Sequence, residues 1–113
     1  MTLKEITEKL GLEVLTAEDM LNREVTNGYT SDLLSDVMAN TKEGNLWITL
    51  QIHQNIVAVA KLKELSGIII VNNRQPEEDT IKKSEEEKVP LLRTGDSAFT
   101  VSGKIYEVIR PQD

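Results

Sequence analysis

The sequence contains no cysteine, one histidine, three prolines and few aromatic residues: one tryptophan, two tyrosines and one phenylalanine. Without cysteine there is no disulfide framework, no thiol nucleophile and no thiolate site for zinc or an iron–sulfur cluster. Positive charge is also short. Thirteen Lys and Arg face nineteen Asp and Glu, giving a net charge of −6 and an isoelectric point near 4.8. Nucleic-acid affinity rests on cations that neutralise phosphates, and anionic membrane surfaces recruit basic segments, so neither is an expected partner. No apolar run approaches the roughly 18 residues of a membrane span. The opening MTLKEITEKL is charged and amphipathic, unlike a secretory signal. A cytoplasmic location is the resulting expectation. The phosphate loop GxxxxGK[ST], the dinucleotide pattern GxGxxG, and the HExxH and GxSxG signatures are all missing.

What is present is enough for one α/β domain over residues 1–113, a length that buries a core without staples. Thr2 and Glu5 have capping-box spacing ahead of Leu3, Ile6 and Leu10, and Gly11 stops the run, which predicts a helix over 3–10. LEVLT (12–16) reads as a short strand, AEDMLN (17–22) as a helical turn, and REVTNGY (23–29) as a second strand. Leu33, Leu34, Val37 and Met38 form an apolar stripe that predicts a helix over 31–40, broken at Gly44. LWIT (46–49) is a strand, HQNIVAVAKLKEL (53–65) a helix, and IIIV (68–71) a strand opened by Gly67. Pro76 precedes an acidic helix over 77–88, VPLLRT (89–94) is a strand, and 96–109 is a closing helix with Ser97 near its cap. A strand that is apolar at every position is buried on both faces, as in parallel sheets. The expected fold is therefore a small, mainly parallel sheet of about five strands flanked by helices. Trp47 is expected in the core, and Phe99 and Tyr106 in the core or an interface.

In open α/β sheets, ligands bind beyond the carboxyl ends of the strands. Those ends are rich in small polar groups here. Asn27, Gly28, Tyr29, Thr30 and Ser31 close the second strand. Thr49, Gln51, His53, Gln54 and Asn55 follow the third. Asn72, Asn73 and Arg74 follow the fourth, and Arg93, Thr94, Gly95, Asp96 and Ser97 follow the fifth. Helix capping accounts for Ser, Thr, Asn and Asp in such places, but it does not call for Gln, His and two Arg. Parallel strands would bring all four sets to one rim. The candidate ligand-binding residues are Gly28, Tyr29, Ser31, Asp32, Thr49, Gln51, His53, Asn72, Arg93 and Thr94.

The plainer role of each group is also defined. Ser31 is placed to cap the helix over 31–40, with Asp32 in its first turn. Asp32, Ser35 and Asp36 would then share one face. Magnesium and calcium need six or more oxygen ligands, and no compact acidic loop supplies them, so no metal and no cofactor is expected. Gly28 is expected to supply a positive φ or room for a close approach. His53 at a helix start is expected to cap or hydrogen-bond. Catalysis would require a carboxylate partner such as Asp32 or Asp96, and no catalytic residue is assigned.

GYTSDLLSDVMA (28–39), LWIT followed by HQNIVAVA, the GIII strand with a downstream proline, and VPLL followed by Thr94, Phe99 and GKIYE together resemble the DRTGG domain family, over roughly residues 22–108. The five-letter string that names the family is absent. RTGD (93–96) is nearest in letters, and WITLQIH is the other candidate position. The resemblance implies a small α/β sandwich without an established activity of its own. Such modules accompany CBS pairs, occur in some phosphotransacetylases, and resemble the N-terminal domain of bacterial HPr kinase/phosphorylase. It also implies homodimers. The expected function is a non-catalytic regulatory or ligand-sensing module that binds a small molecule at the rim. The alternative is a protein–protein interaction adaptor for an enzyme partner, without a small-molecule ligand, with an apolar patch around FTVSGKIYEVI as its contact.

Overall fold

A computed structural model of the protein describes residues 1–110. Helix α1 (Leu3–Leu10) starts in a closed capping box: the Thr2 hydroxyl accepts from the Glu5 amide, and the Glu5 carboxylate accepts from the Thr2 amide. It ends at Gly11 with φ 64°. Next come strand β1 (Glu13–Thr16), a 3₁₀ turn at Glu18–Met20, β2 (Asn27–Thr30), α2 (Leu34–Asn40), β3 (Asn45–Thr49), α3 (Asn55–Leu62), β4 (Gly67–Ile70), α4 (Glu78–Glu86), β5 (Leu91–Arg93) and α5 (Ala98–Ile109).

The five strands form one sheet in the order β1-β5-β4-β3-β2. Strands β2 to β5 are parallel, and β1 joins β5 antiparallel with a bulge between Val14 and Thr16. The mainly parallel α/β expectation thus holds. Because side chains alternate across a strand, each central strand feeds two cores. Leu46, Ile48, Ile69, Val71 and Leu92 pack with Leu3 and Ile6 of α1 and with Val101 and Ile105 of α5. Trp47, Ile68, Ile70 and Leu91 pack on the other face with Val37 of α2 and with Ile56, Val57 and Ala60 of α3. Trp47 is fully buried, as its apolar neighbours imply.

Three connections, through α2, α3 and α4, run on the Trp47 face and advance the sheet one strand at a time. The last does not. Leaving β5, α5 crosses to the opposite face and packs on β2 and β3, three and two strands away.

Several local expectations are corrected. Strand β2 begins at Asn27, not at residue 23; of the preceding stretch, Glu24 makes only an isolated bridge with Thr2. Helix α2 begins at Leu34, with Leu33 at its cap and no side-chain capping bond. Ser31 therefore does not cap it, and Asp32 lies outside it, so Asp32, Ser35 and Asp36 do not share a helix face. The reason is that both residues are committed to neighbouring segments, described below. Gly28 has no positive φ, and a Cβ there would meet Ile105 at an ordinary 3.6 Å. Of the core or interface expected for Phe99 and Tyr106, the structure excludes the core. They are 90% and 63% exposed.

Candidate functional site

The loops that follow β2, β3, β4 and β5 lie along one end of the sheet, since those strands are parallel neighbours. Hydrogen bonds lace each loop to the next. The Asp32 carboxylate accepts from the Thr49 hydroxyl and the Leu50 amide, both at 2.9 Å, and the Asp32 carbonyl accepts from Gln51 Nε2 at 2.8 Å. Thr49 is fully buried, so its hydroxyl is pinned between Asp32 and the Gln51 amide. Behind them the Trp47 indole N–H donates to the Ser31 carbonyl at 2.8 Å, and the Ser31 hydroxyl accepts from the Leu33 amide. The Arg74 guanidinium donates to the Leu50 carbonyl. The Asn72 amide donates to the Asp96 carbonyl at 2.9 Å and the Asn73 amide to the Thr94 carbonyl at 2.8 Å.

Asn72 and Asn73 both sit in the left-handed region, at φ 58° and 55°. Asparagine tolerates this conformation better than most residues, and here it turns both amides toward the β5–α5 loop. That loop is ordered by the Thr94 hydroxyl accepting from the Asp96 amide and by Ser97 capping α5 through the Thr100 amide. Lys104, nearly two turns into α5, donates to the Asp96 carboxylate at 2.9 Å.

Ser31, Asp32, Thr49, Gln51, Asn72 and Thr94 are thus brought together at this end, with Arg74 added. Other expected residues point elsewhere. Gly28 faces α5 from the middle of the edge strand. Tyr29 faces α2, where its hydroxyl donates to the Asp36 carboxylate at 2.9 and 3.0 Å. Donors from Ser31, then Tyr29, then Asn40 hold the Asp36 carboxyl below its ordinary value, and the same pairing raises the Tyr29 hydroxyl. Arg93 turns to the far edge, donating to Glu13 of β1 at 2.7 and 2.9 Å and to Gln75. His53 is exposed, and its Nδ1 accepts from the Asn55 amide at the start of α3, a capping role. Among the described residues no group of three or more His, Asp or Glu is placed to hold a metal ion.

The rim has a topological feature that residue types alone did not reveal. After β4 the chain goes to the Trp47 face, and after the adjacent β5 it goes to the opposite face. A crevice of the kind that holds ligands in open α/β sheets forms where neighbouring connections part in this way. Asn72, Asn73, Thr94 and Asp96 occupy that point. A concavity elsewhere was not anticipated. About 730 Å³ in volume, it lies at the opposite end of the sheet among residues that precede the strands, including Arg23, Glu43, Lys61, Glu64 and Ser66. Its lining comes from α3 and from the loops before β2, β3, β4 and β5, with no shared pattern, so the sequence carries no signal for it.

Fold and rim define a single-sheet α/β module with polar loops tied together at one end. The chain belongs to the DRTGG domain family, whose model matches residues 5–108. No curated protein matches it. Among solved structures it is similar to the CBS and DRTGG domains of the regulatory region of Clostridium perfringens pyrophosphatase, a structure complexed with the activator diadenosine tetraphosphate. The TM-score is 0.67 at 15% identity, over 92% of this chain and 45% of that one. The likeness is one of fold, and this chain spans less than half the length of that regulatory region. Among the described residues no helix is long and apolar enough to cross a membrane.

Proposed function

We propose that the chain is a non-catalytic, cytoplasmic regulatory module that binds a small molecule at the C-terminal rim of its sheet and works as a homodimer. The observation that carries the rim reading is the parting of the β4 and β5 connections at Asn72, Asn73, Thr94 and Asp96, with Ser31, Asp32, Thr49 and Gln51 continuing the same edge. Family membership supports a regulatory role, and the activator in the C. perfringens structure makes nucleotides the first ligand class to try. His53 is engaged as a cap, which favours a binding module over an enzyme.

A thermal-shift screen with diadenosine tetraphosphate, mononucleotides and phosphorylated metabolites tests this. A ligand that binds only the folded state raises the midpoint with its excess over Kd. Asn72→Gly removes the side chain while keeping the left-handed backbone, and it should abolish the rise. Lys61→Ala, at the opposite cavity, should leave it intact. The reverse pattern would move the site to that cavity. No rise with any compound, together with co-purification of one enzyme, would favour the adaptor reading, which the exposed Phe99 and Tyr106 support.

A further inference from the structure

Two of the chain's four aromatic residues are exposed on one helix. Phe99 and Tyr106 are seven residues apart on α5, two turns along one face. Midway between them lie Ser102 and Gly103, and a Cβ added at Gly103 would meet nothing within 4 Å. Beside Tyr106 is a hollow of about 160 Å³ between α5 and the edge strand β2, lined by Ile48, Ile105 and Ile109 together with the polar Asn27, Thr30 and Ser102. The most exposed large apolar side chain and this recess therefore lie on one helix, the recess on its β2-facing flank beside Tyr106.

We infer that this face is a self-complementary interface: two copies pack α5 against α5 in antiparallel fashion, and Phe99 of each copy seats in the other's recess beside Tyr106. This rests on the homodimer reading above and names its contact. An antiparallel pair centred between Ser102 and Gly103 places each Phe99 opposite the partner's Tyr106, and the two insertions are related by a twofold axis. Such a contact closes as a dimer instead of propagating. The small residues fall at the axis, where helix backbones come nearest.

Charge favours a second copy as the occupant. The molecule carries −6 overall, so two copies repel unless they meet through a neutral patch. Strand β2 has no ionisable group except the Tyr29 phenol, which faces α2. On and beside α5 the charges cancel internally, Lys104 with Asp96 at 2.9 Å and Arg110 with Glu107 at 2.7 Å.

The test uses the full chain in sedimentation equilibrium. Wild type is expected as a dimer. Phe99→Ala removes an exposed side chain, so the fold is retained, and because each dimer loses two anchors, dissociation should strengthen by roughly two orders of magnitude. The absence of native cysteine permits a second readout. Axes about 9–10 Å apart, with Cα atoms about 2.3 Å off axis, leave facing Cα atoms about 4.4–5.4 Å apart, within the ~4.4–6.8 Å of a disulfide. Gly103→Cys should then oxidise to a covalent dimer, whereas Ala58→Cys, exposed on α3 across the sheet, should not. A wild-type monomer at all concentrations overturns both this interface and the homodimer reading. A dimer that survives Phe99→Ala without Gly103→Cys cross-linking overturns the interface alone. Neither outcome affects ligand binding at the rim.

Discussion

Asp32 ties two loops with one side chain. Its carboxylate accepts from a buried hydroxyl, Thr49, and a backbone amide, Leu50. Removing the acceptor leaves the Thr49 hydroxyl without that partner inside the protein, where an unmade hydrogen bond costs about 1–3 kcal/mol. Asp32→Ala should lower stability by that amount in urea unfolding, and Asp32→Asn, which keeps an acceptor oxygen, should recover most of it. The Tyr29–Asp36 pair predicts a pH response. Asp36 titrates below its ordinary 3.8 in the fold, so its contribution is present above that value and lost as pH falls through the depressed one. Tyr29 titrates above its ordinary 10.0, so its contribution is present below that value and lost as pH rises through the raised one. Tyr29→Phe should remove the alkaline decline and make the acid one shallower, which melting curves across pH will show.

At the scale of elements, the turn between α2 and β3 has little tolerance for change. Gly44 has φ 84°, and a Cβ there would lie 2.8 Å from Thr26 Cγ2 and 2.9 Å from its hydroxyl. Thr26 cannot swing aside freely, because it donates to the Glu43 carbonyl and accepts from Asn45. Gly44→Ala should therefore destabilise by roughly 1–3 kcal/mol from backbone strain, or more with the clash, measured by the shift of the urea midpoint. The helices and the two central strands were legible because their signals are local: a capping box at Thr2, a stop at Gly11, continuous apolar runs at 46–48 and 68–70. The start of α2 was misread for a different reason. Ser31 has the chemistry of a cap, but its carbonyl and Asp32's carboxylate serve β3 instead, a contact across 16 to 18 positions that no local pattern encodes. The antiparallel direction of β1 was equally invisible, because four residues paired with a strand about 80 positions away carry no mark of orientation.

At the scale of the molecule, the rim was legible once the sheet was parallel, since parallel strands deliver their following loops to one end. Which side chains turn toward that end was less so. Gly28 and Tyr29 fall on opposite faces by strand alternation, and Arg93 is drawn away by Glu13. The crossing of α5 to β2 was not legible either, although it creates the parting of connections at the rim and leaves Phe99 and Tyr106 outside. One further feature gives the protein a built-in optical reporter. Its sole tryptophan lies in the core, yet the indole N–H grips the Ser31 carbonyl, next to Asp32 and the rim loops it fastens. Intrinsic fluorescence from that single ring should therefore report both loss of the core and a displacement of the loop after β2, so unfolding and the proposed ligand binding would be readable in the same cuvette without a label.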